Sequence, residues 1–383
     1  METLHSSARI TNITMTFWPS LSSDPVGDEA ILEAIPVITY GLDGGWFGKI
    51  STTLILLLGT FGNVMTVIIL RRLRSGWSAM NVYLTALALS DTAMLYSVAL
   101  PMWTRKVLDY GFYASHVIVC KLALWVMSTA ATLSAWILVA LTAQRAASVV
   151  WPHRVNAICI RHKSVVIIVV ITAVCGLLYS HTLYGFNLVR IANGTTERCT
   201  FGSTAYQELT VSVWVKINMV VYSVPPCVCL IQSNMILGWK LTVALKEAKE
   251  KFSTAREDQK GSHRKKASSV TVTIIIVSVA FVVITVPYMI YSNWFYGYAS
   301  PSEIHFFLYD FFFVFGLSNF AWNFYLYCLT GSRFRGEFKK VMFDCCGHVS
   351  SVVRSVKDIE KGHVSEVRAC RLKKTVVESS DDF

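Results

Sequence analysis

The chain has 383 residues, 54% of them hydrophobic and only 15% charged, with a formal net charge of +11 and a mean hydropathy of +0.49. That balance excludes an ordinary soluble domain. The surplus of basic charge could serve a nucleic-acid binder, but it is confined to short loops between long apolar runs, which excludes that class as well.

From the N-terminus, Met1–Lys49 carries only Arg9 and Lys49 as basic residues and shows no basic region followed by an apolar run and a cleavage site. It reads as a retained arm over 1–48, with the first span acting as its own insertion signal. Asn12 heads an Asn12-Ile13-Thr14 glycosylation acceptor. Seven apolar stretches follow. Ser51–Leu70 has no charged residue and Met80–Trp103 has only Asp91. Leu122–Gln144, Ser164–Val189, Ile217–Trp239, Ala267–Ser302 and Phe311–Ser332 have none. At about 1.5 Å rise per residue, roughly 20 apolar residues cross a hydrocarbon core of about 30 Å. A soluble helical bundle would need polar outer faces, and these stretches lack them. The pattern predicts an all-α membrane protein, a seven-transmembrane helix bundle over 49–330.

The loops give the orientation. Arg71–Arg74 carries three arginines, Arg145–Lys163 four basic residues and no acid, and Lys240–Lys266 nine basic residues against four acids. The alternate loops are poor in basic charge. The positive-inside rule places the first group in the cytoplasm and the N-terminus outside. Both acceptors, Asn12 and Asn193 (in Asn193-Gly194-Thr195), then lie outside. Of ten cysteines, only Cys120 and Cys199 lie at or beyond the outer boundary, so they are expected to form a disulfide tying the loop after the fourth span over the bundle. In the third cytoplasmic loop, Leu241–Lys251 reads as a helical continuation of the fifth span and Ser253–Ser262 as a mobile polar segment.

Polar side chains inside hydrocarbon carry the functional information, because a buried carboxylate is costly there. Asp91 sits mid-span, as do Asn63, Ser134, Asn319 and Asn323. A bundle can gather these at mid-depth, either as a water or small-cation site or as a polar network that pins helix packing. Residues alone leave both open.

Gly62-Asn63-Val64, Leu87-Ala88-Leu89-Ser90-Asp91, Cys120, Arg145 seven residues before Pro152, Cys199, Phe281 six before Pro287, and Asn323 four before Tyr327 stand in one order. In that order and spacing the chain resembles the rhodopsin-like (class A) G-protein-coupled receptors from about Lys49 to Cys346. The ending from Asn323 to Arg335 is similar to that of invertebrate FMRFamide-receptor-like and sex-peptide-receptor-like neuropeptide receptors. The resemblance implies a plasma-membrane receptor in which ligand binding swings the sixth helix outward and opens a cleft for a heterotrimeric G protein. The residues it implicates in the switch are Gln144, Arg145, Asn234, Phe281, Pro287, Asn323 and Tyr327. It implies no enzyme. In the cation reading of the mid-depth residues, the ion is sodium acting as an allosteric ligand at Asp91 with Asn63, Ser134, Asn319 and Asn323; the packing network stays its alternative.

Departures from the pattern are as specific as the matches. Gln144 stands where the family has an acid before the arginine, and Ala146 where it has an aromatic. Thr285 replaces the sixth-span tryptophan, Phe324 the seventh-span proline and Asn234 the inner fifth-span tyrosine. Met127, seven residues after Cys120, replaces the aspartate that anchors amines, which argues against a monoamine. The seventh stretch has no lysine for a retinal Schiff base. Charges of both signs and aromatics at the outer ends, including Arg105, Lys106, Lys216, Glu208, Glu303, Asp310, Tyr184, Tyr291, Trp294 and Tyr298, suit a short extracellular peptide, with Arg105, Met127, Lys216, Tyr291, Trp294 and Asp310 as ligand-binding candidates. The competing reading makes them solvated rim and interfacial belt.

After the seventh span, Phe334, Phe338, Val341 and Met342 recur at helical spacing among Arg333, Arg335, Lys339 and Lys340. This predicts a short amphipathic eighth helix on the lipid surface over 331–346, ending in a palmitoylation candidate at Cys345 and Cys346, with a cytoplasmic tail over 347–383. Two other functions compete with a peptide receptor: a receptor of the same fold for a non-peptide or environmental chemical cue, and a membrane transporter. The second would be expected to show repeats, broken helices or several intramembrane charges.

Overall fold

The computed structural model describes residues 46–73, 78–154, 160–191, 196–252, 258–292 and 303–344. Seven helices are long and apolar enough to cross a membrane: α1 (Trp46–Arg72), α2 (Ala79–Leu108), α3 (Val117–Val150), α4 (Arg161–Gly185), α5 (Thr204–Ala244, its last turns reaching Phe252), α6 (with Asp258–Ile290 as its helical bounds) and α7 (Glu303–Thr330). Successive helices pack as neighbours, α7 closes on α1, and α3 is central, touching α2, α4, α5 and α6.

The reason for this arrangement is visible along α1. Thr52, Ile55, Gly59, Gly62, Asn63, Thr66, Ile69 and Leu70 are buried at intervals of three and four residues, so one stripe faces the bundle. The other face exposes Leu54, Leu57, Leu58, Phe61 and Val64. Apolar residues on both faces are what a helix surrounded by lipid requires.

Prolines inside spans orphan a carbonyl four residues earlier, which in lipid must find another donor. The chain supplies one in two places. Pro101 leaves Ser97 O without its helical donor. That carbonyl lies within a wide turn at Leu95–Ala99, and Tyr113 Oη donates to it at 2.5 Å. Burial pushes the Tyr113 phenol up, so it keeps its proton. Pro225 likewise orphans Val221 O, beside a wide turn at Met219–Ser223. Trp136 Nε1 of α3 donates to it at 3.0 Å. Each proline irregularity thereby becomes a contact between elements.

The fourth apolar stretch does not continue as helix to Val189. α4 ends at Gly185, where the Tyr206 ring occupies the place of a Cβ, so no other residue fits without displacing it. The chain then forms an antiparallel hairpin, β1 (Phe186–Ile191) with β2 (Thr196–Phe201), pairing Leu188 with Cys199. Phe186 and Phe201 pack with Cys120 and Leu124 at the end of α3, which uses the apolar residues the sequence reading assigned to lipid. The Cys120–Cys199 disulfide pins the hairpin there, with Cα atoms 5.6 Å apart.

At the opposite end, α5 extends to Phe252 as expected. The expected polar loop is shorter than Ser253–Ser262, because α6 already begins at Asp258; residues 253–257 lie outside the described set. After α7 the chain turns at Gly331, where a Cβ would sit 2.8 Å from Tyr327 O, and residues 332–344 form a further helix, α8. Phe334 and Val341 are buried in the main core cluster with Phe324 and Tyr327. Arg335 Nη1 donates to Cys328 O at 3.1 Å and Leu329 O at 2.6 Å, satisfying carbonyls freed at the end of α7.

Candidate functional site

Midway through the bundle, three helices meet at one carboxylate. Asp91 of α2 is fully buried. Ser134 Oγ of α3 donates to its Oδ1 at 2.6 Å, and Asn323 Nδ2 of α7 donates to its Oδ2 at 2.7 Å. Asn63 of α1 donates through Nδ2 to Phe320 O at 3.1 Å, so it ties α1 to the α7 backbone; its Oδ1 is buried without a hydrogen-bond partner. Asn319 is buried one turn before Asn323 on the same side of α7. Of the five residues expected to converge, three are joined directly at Asp91. A carboxylate has about four lone-pair positions, and among the described residues two donors are bonded to it. The free lone pairs of Asp91 and the Ser134 hydroxyl are the oxygen ligands that a hard monovalent cation such as sodium would need.

The α8 end holds the residues expected in the switch. Gln144 is buried, its Nε2 3.4 Å from Ser164 Oγ of α4. Arg145, next in sequence, is partly exposed. Phe281 is buried in the main core cluster with Leu230, Ile274 and Val277, and Pro287 lies within α6. Thr285, in place of the tryptophan, is buried too. Tyr327 is buried with its Oη unpartnered and its ring against Phe334. Phe324, in place of the proline, contacts the rings of Phe61, Phe334 and Phe338. It also leaves no room at Gly62, where a Cβ would stand 2.9 Å from Phe324 Cβ. Asn234 of α5 meets Ser278 of α6, side-chain oxygen to oxygen, at 2.8 Å.

At the hairpin end the charges are already engaged. Lys106 Nζ lies 3.2 Å from Asp310 Oδ2, with both side chains almost wholly buried, joining α2 to α7. Gly48 of α1 makes the room: a Cβ there would lie 2.5 Å from Lys106 Nζ. Trp103 Nε1 donates to Thr53 Oγ1 at 2.9 Å, and Phe47 packs on Phe307 and Phe311, so α1, α2 and α7 are stitched together. Of the expected ligand residues, Met127 and Tyr291 are turned inward; Met127 bridges two apolar clusters and Tyr291 stacks on Phe312 at 4.9 Å. Asp310 is held by Lys106. Arg105 and Lys216 are exposed, Arg105 pairing with Asp109 at 3.4 Å on the rim. Tyr184 is exposed as well. Asn12, Asn193, Trp294, Tyr298, Cys345 and Cys346 lie outside the described residues.

The sequence reading placed Lys106 only among the rim charges and missed Ser278 altogether. Lys106 gave no signal beyond being a lysine near a span end. Ser278 is legible as a single hydroxyl inside Ile274-Ile275-Ile276-Val277-Ser278-Val279.

The bundle thus combines a buried carboxylate shared by α2, α3 and α7, a proline within α6 and a disulfide from α3 to a hairpin. Residues 62–327, more than half of the chain, match the family described as 7 transmembrane receptor (rhodopsin family). The chain belongs to that family. It is therefore a multi-pass membrane receptor and not an enzyme. Among curated relatives it is similar to growth hormone secretagogue receptor type 1 of Sus scrofa, at 27% identity over 242 residues, 60% of this chain and 62% of that protein. The receptor of the same name from Homo sapiens is 26% identical over 231 residues, 58% of this chain and 59% of that one. The chain thus spans about 60% of the length of the relatives it matches.

Proposed function

We propose that this receptor sits in the plasma membrane with the hairpin end outside, binds an extracellular peptide there, and activates a heterotrimeric G protein at the α8 end. The observation that carries the reading is family membership over residues 62–327. Loop charge supports the orientation, with Arg145–Lys163 and Lys240–Lys266 at the α8 end. The peptide rests on three supports. The relatives are secretagogue receptors, the Asn323–Arg335 ending resembles invertebrate neuropeptide receptors, and Met127 stands where an amine would need a carboxylate. α8, with Lys339 and Lys340 exposed opposite buried Phe334 and Val341, would lie on anionic lipid. Sodium at Asp91 would favour the resting state.

The experiment is a peptide-library screen on expressing cells, read by calcium and cAMP, with Arg145→Ala at matched surface expression as control. A peptide that triggers the parent and fails on Arg145→Ala supports the reading. A response to non-peptide chemicals alone transfers the function to another ligand class. Ligand-dependent conductance or uptake without G-protein activation would overturn it.

A further inference from the structure

Among the described residues, two neutral contacts tether α6 near its α8 end, one to α5 and one to α7. Ser278 is fully buried. Its Oγ lies 2.8 Å from Asn234 Oδ1 on α5 and 2.8 Å from Ile274 O one turn back in α6. A hydroxyl has one proton, so it cannot donate to both. Turning the Asn234 amide resolves the conflict, because its Nδ2 then donates to Ser278 Oγ while the hydroxyl donates to Ile274 O. Either orientation links α5 to α6. Five residues closer to the helix start, Thr273 Oγ1 is 2.9 Å from Thr330 Oγ1 in the last turn of α7. Thr330 Oγ1 is the donor there, sharing its one proton with Leu326 O at 2.6 Å.

We propose that Ser278–Asn234 and Thr273–Thr330 act together as a latch on α6, positioning it closed and setting the receptor's ligand-free signalling level. The proposal rests on the reading that α6 swings to admit a G protein, and names the residues that hold it back. Pro287 lies nine residues from Ser278 and fourteen from Thr273. At about 1.5 Å per residue, a swing of roughly 10° about Pro287 displaces the first contact by about 2 Å and the second by about 4 Å. Neither hydrogen bond survives such a shift. Because the contacts face two different helices, rotation of α6 toward one neighbour does not preserve the other. The usual charged restraint beside Arg145 is not available from Gln144, nor from Ala267 twenty residues before Pro287. A latch of hydroxyls and one amide is weaker than a charged pair and insensitive to salt.

The test uses the full chain in lipid nanodiscs, with spin labels introduced at Val150 and Ser269 and the distance between them read by pulsed electron resonance. Ser278→Ala and Thr330→Val should each raise the open population about fivefold, in keeping with one hydrogen bond apiece. The double variant should raise it further, and Thr330→Ser should restore the parent distribution. Because Ser278→Ala leaves a half-buried amide without this partner, Asn234→Leu/Ser278→Ala is examined alongside, with thermal unfolding confirming a folded bundle. An open population in folded double variants equal to the parent's overturns the latch, even if an agonist still activates a G protein. An increased open population without activation of any G protein sustains the latch and overturns the coupling partner instead.

Discussion

The hairpin end of the bundle and the inner half of α6 are held by different kinds of chemistry. At the hairpin end, a disulfide fastens β2 to α3, and a buried ion pair fastens α2 to α7. At the α8 end, α6 is held by a serine, an asparagine and two threonines. Breaking a covalent bond or exposing a buried unpaired charge is costly, whereas a neutral hydrogen bond contributes only about 0.5–1.5 kcal/mol net. The hairpin end is thus built as a frame, with α1, α2 and α7 forming its fixed corner. Motion is left to the end where the tethers are weak.

The largest effect tests the frame. Cys120→Ser or Cys199→Ser should each abolish surface expression, and the double variant should be no worse, since two residues in one bond do not add. Independent, additive losses measured by surface immunostaining would deny the bridge its role. Next, Lys106→Met leaves Asp310 buried and unpaired, as Asp310→Leu leaves Lys106. Each should cost about 3–5 kcal/mol, while Lys106→Met/Asp310→Leu should recover most of it. Thermal melting in detergent reads this, and a double variant as unstable as either single would show that the pair is not the source of the loss.

A third prediction lies between the two ends. Sodium at Asp91 should lower agonist affinity by about tenfold, and Asp91→Asn should remove that dependence, because an ion favouring one state must oppose a ligand favouring the other. Equal agonist affinity in sodium and in choline would rule the ion out. The smallest effect is at Gln144. A carboxylate there could pair with Arg145, and a partly exposed pair contributes about 1 kcal/mol, or about fivefold. Gln144→Asp should lower basal signalling by that factor at matched expression with maximal response preserved. An unchanged basal level would place the restraint of α6 wholly elsewhere.

The spans and the Asp91 cluster were legible because hydrocarbon makes both conspicuous: apolar length is required, and a carboxylate within it demands partners. Asp91, Ser134 and Asn323 could be named without knowing which way any side chain points. The ion pair could not. Lys106 and Asp310 are 204 residues apart, and their meeting is set by the packing of α2 against α7, which no local pattern announces. Ser278 and Thr330 were hidden for another reason. Serine and threonine in membrane helices commonly satisfy themselves on their own helix, as both do here, so their type does not announce a second partner. The hairpin was misassigned because Phe186, Leu188 and Val189 suit lipid as well as they suit the cap over Cys120.

Phe324 restricts what the chain can become. Its ring fills the space among Phe61, Phe334 and Phe338, and its Cβ forbids a side chain at Gly62. Restoring the family's proline at 324 would remove the ring that seats α8 while still barring any larger residue at 62. The gap left behind would be unfilled on three sides, a loss of the size seen when a large core side chain is truncated. Phe324→Pro alone therefore unseats α8, and the substitution is tolerated only if residues 61, 334 and 338 change with it.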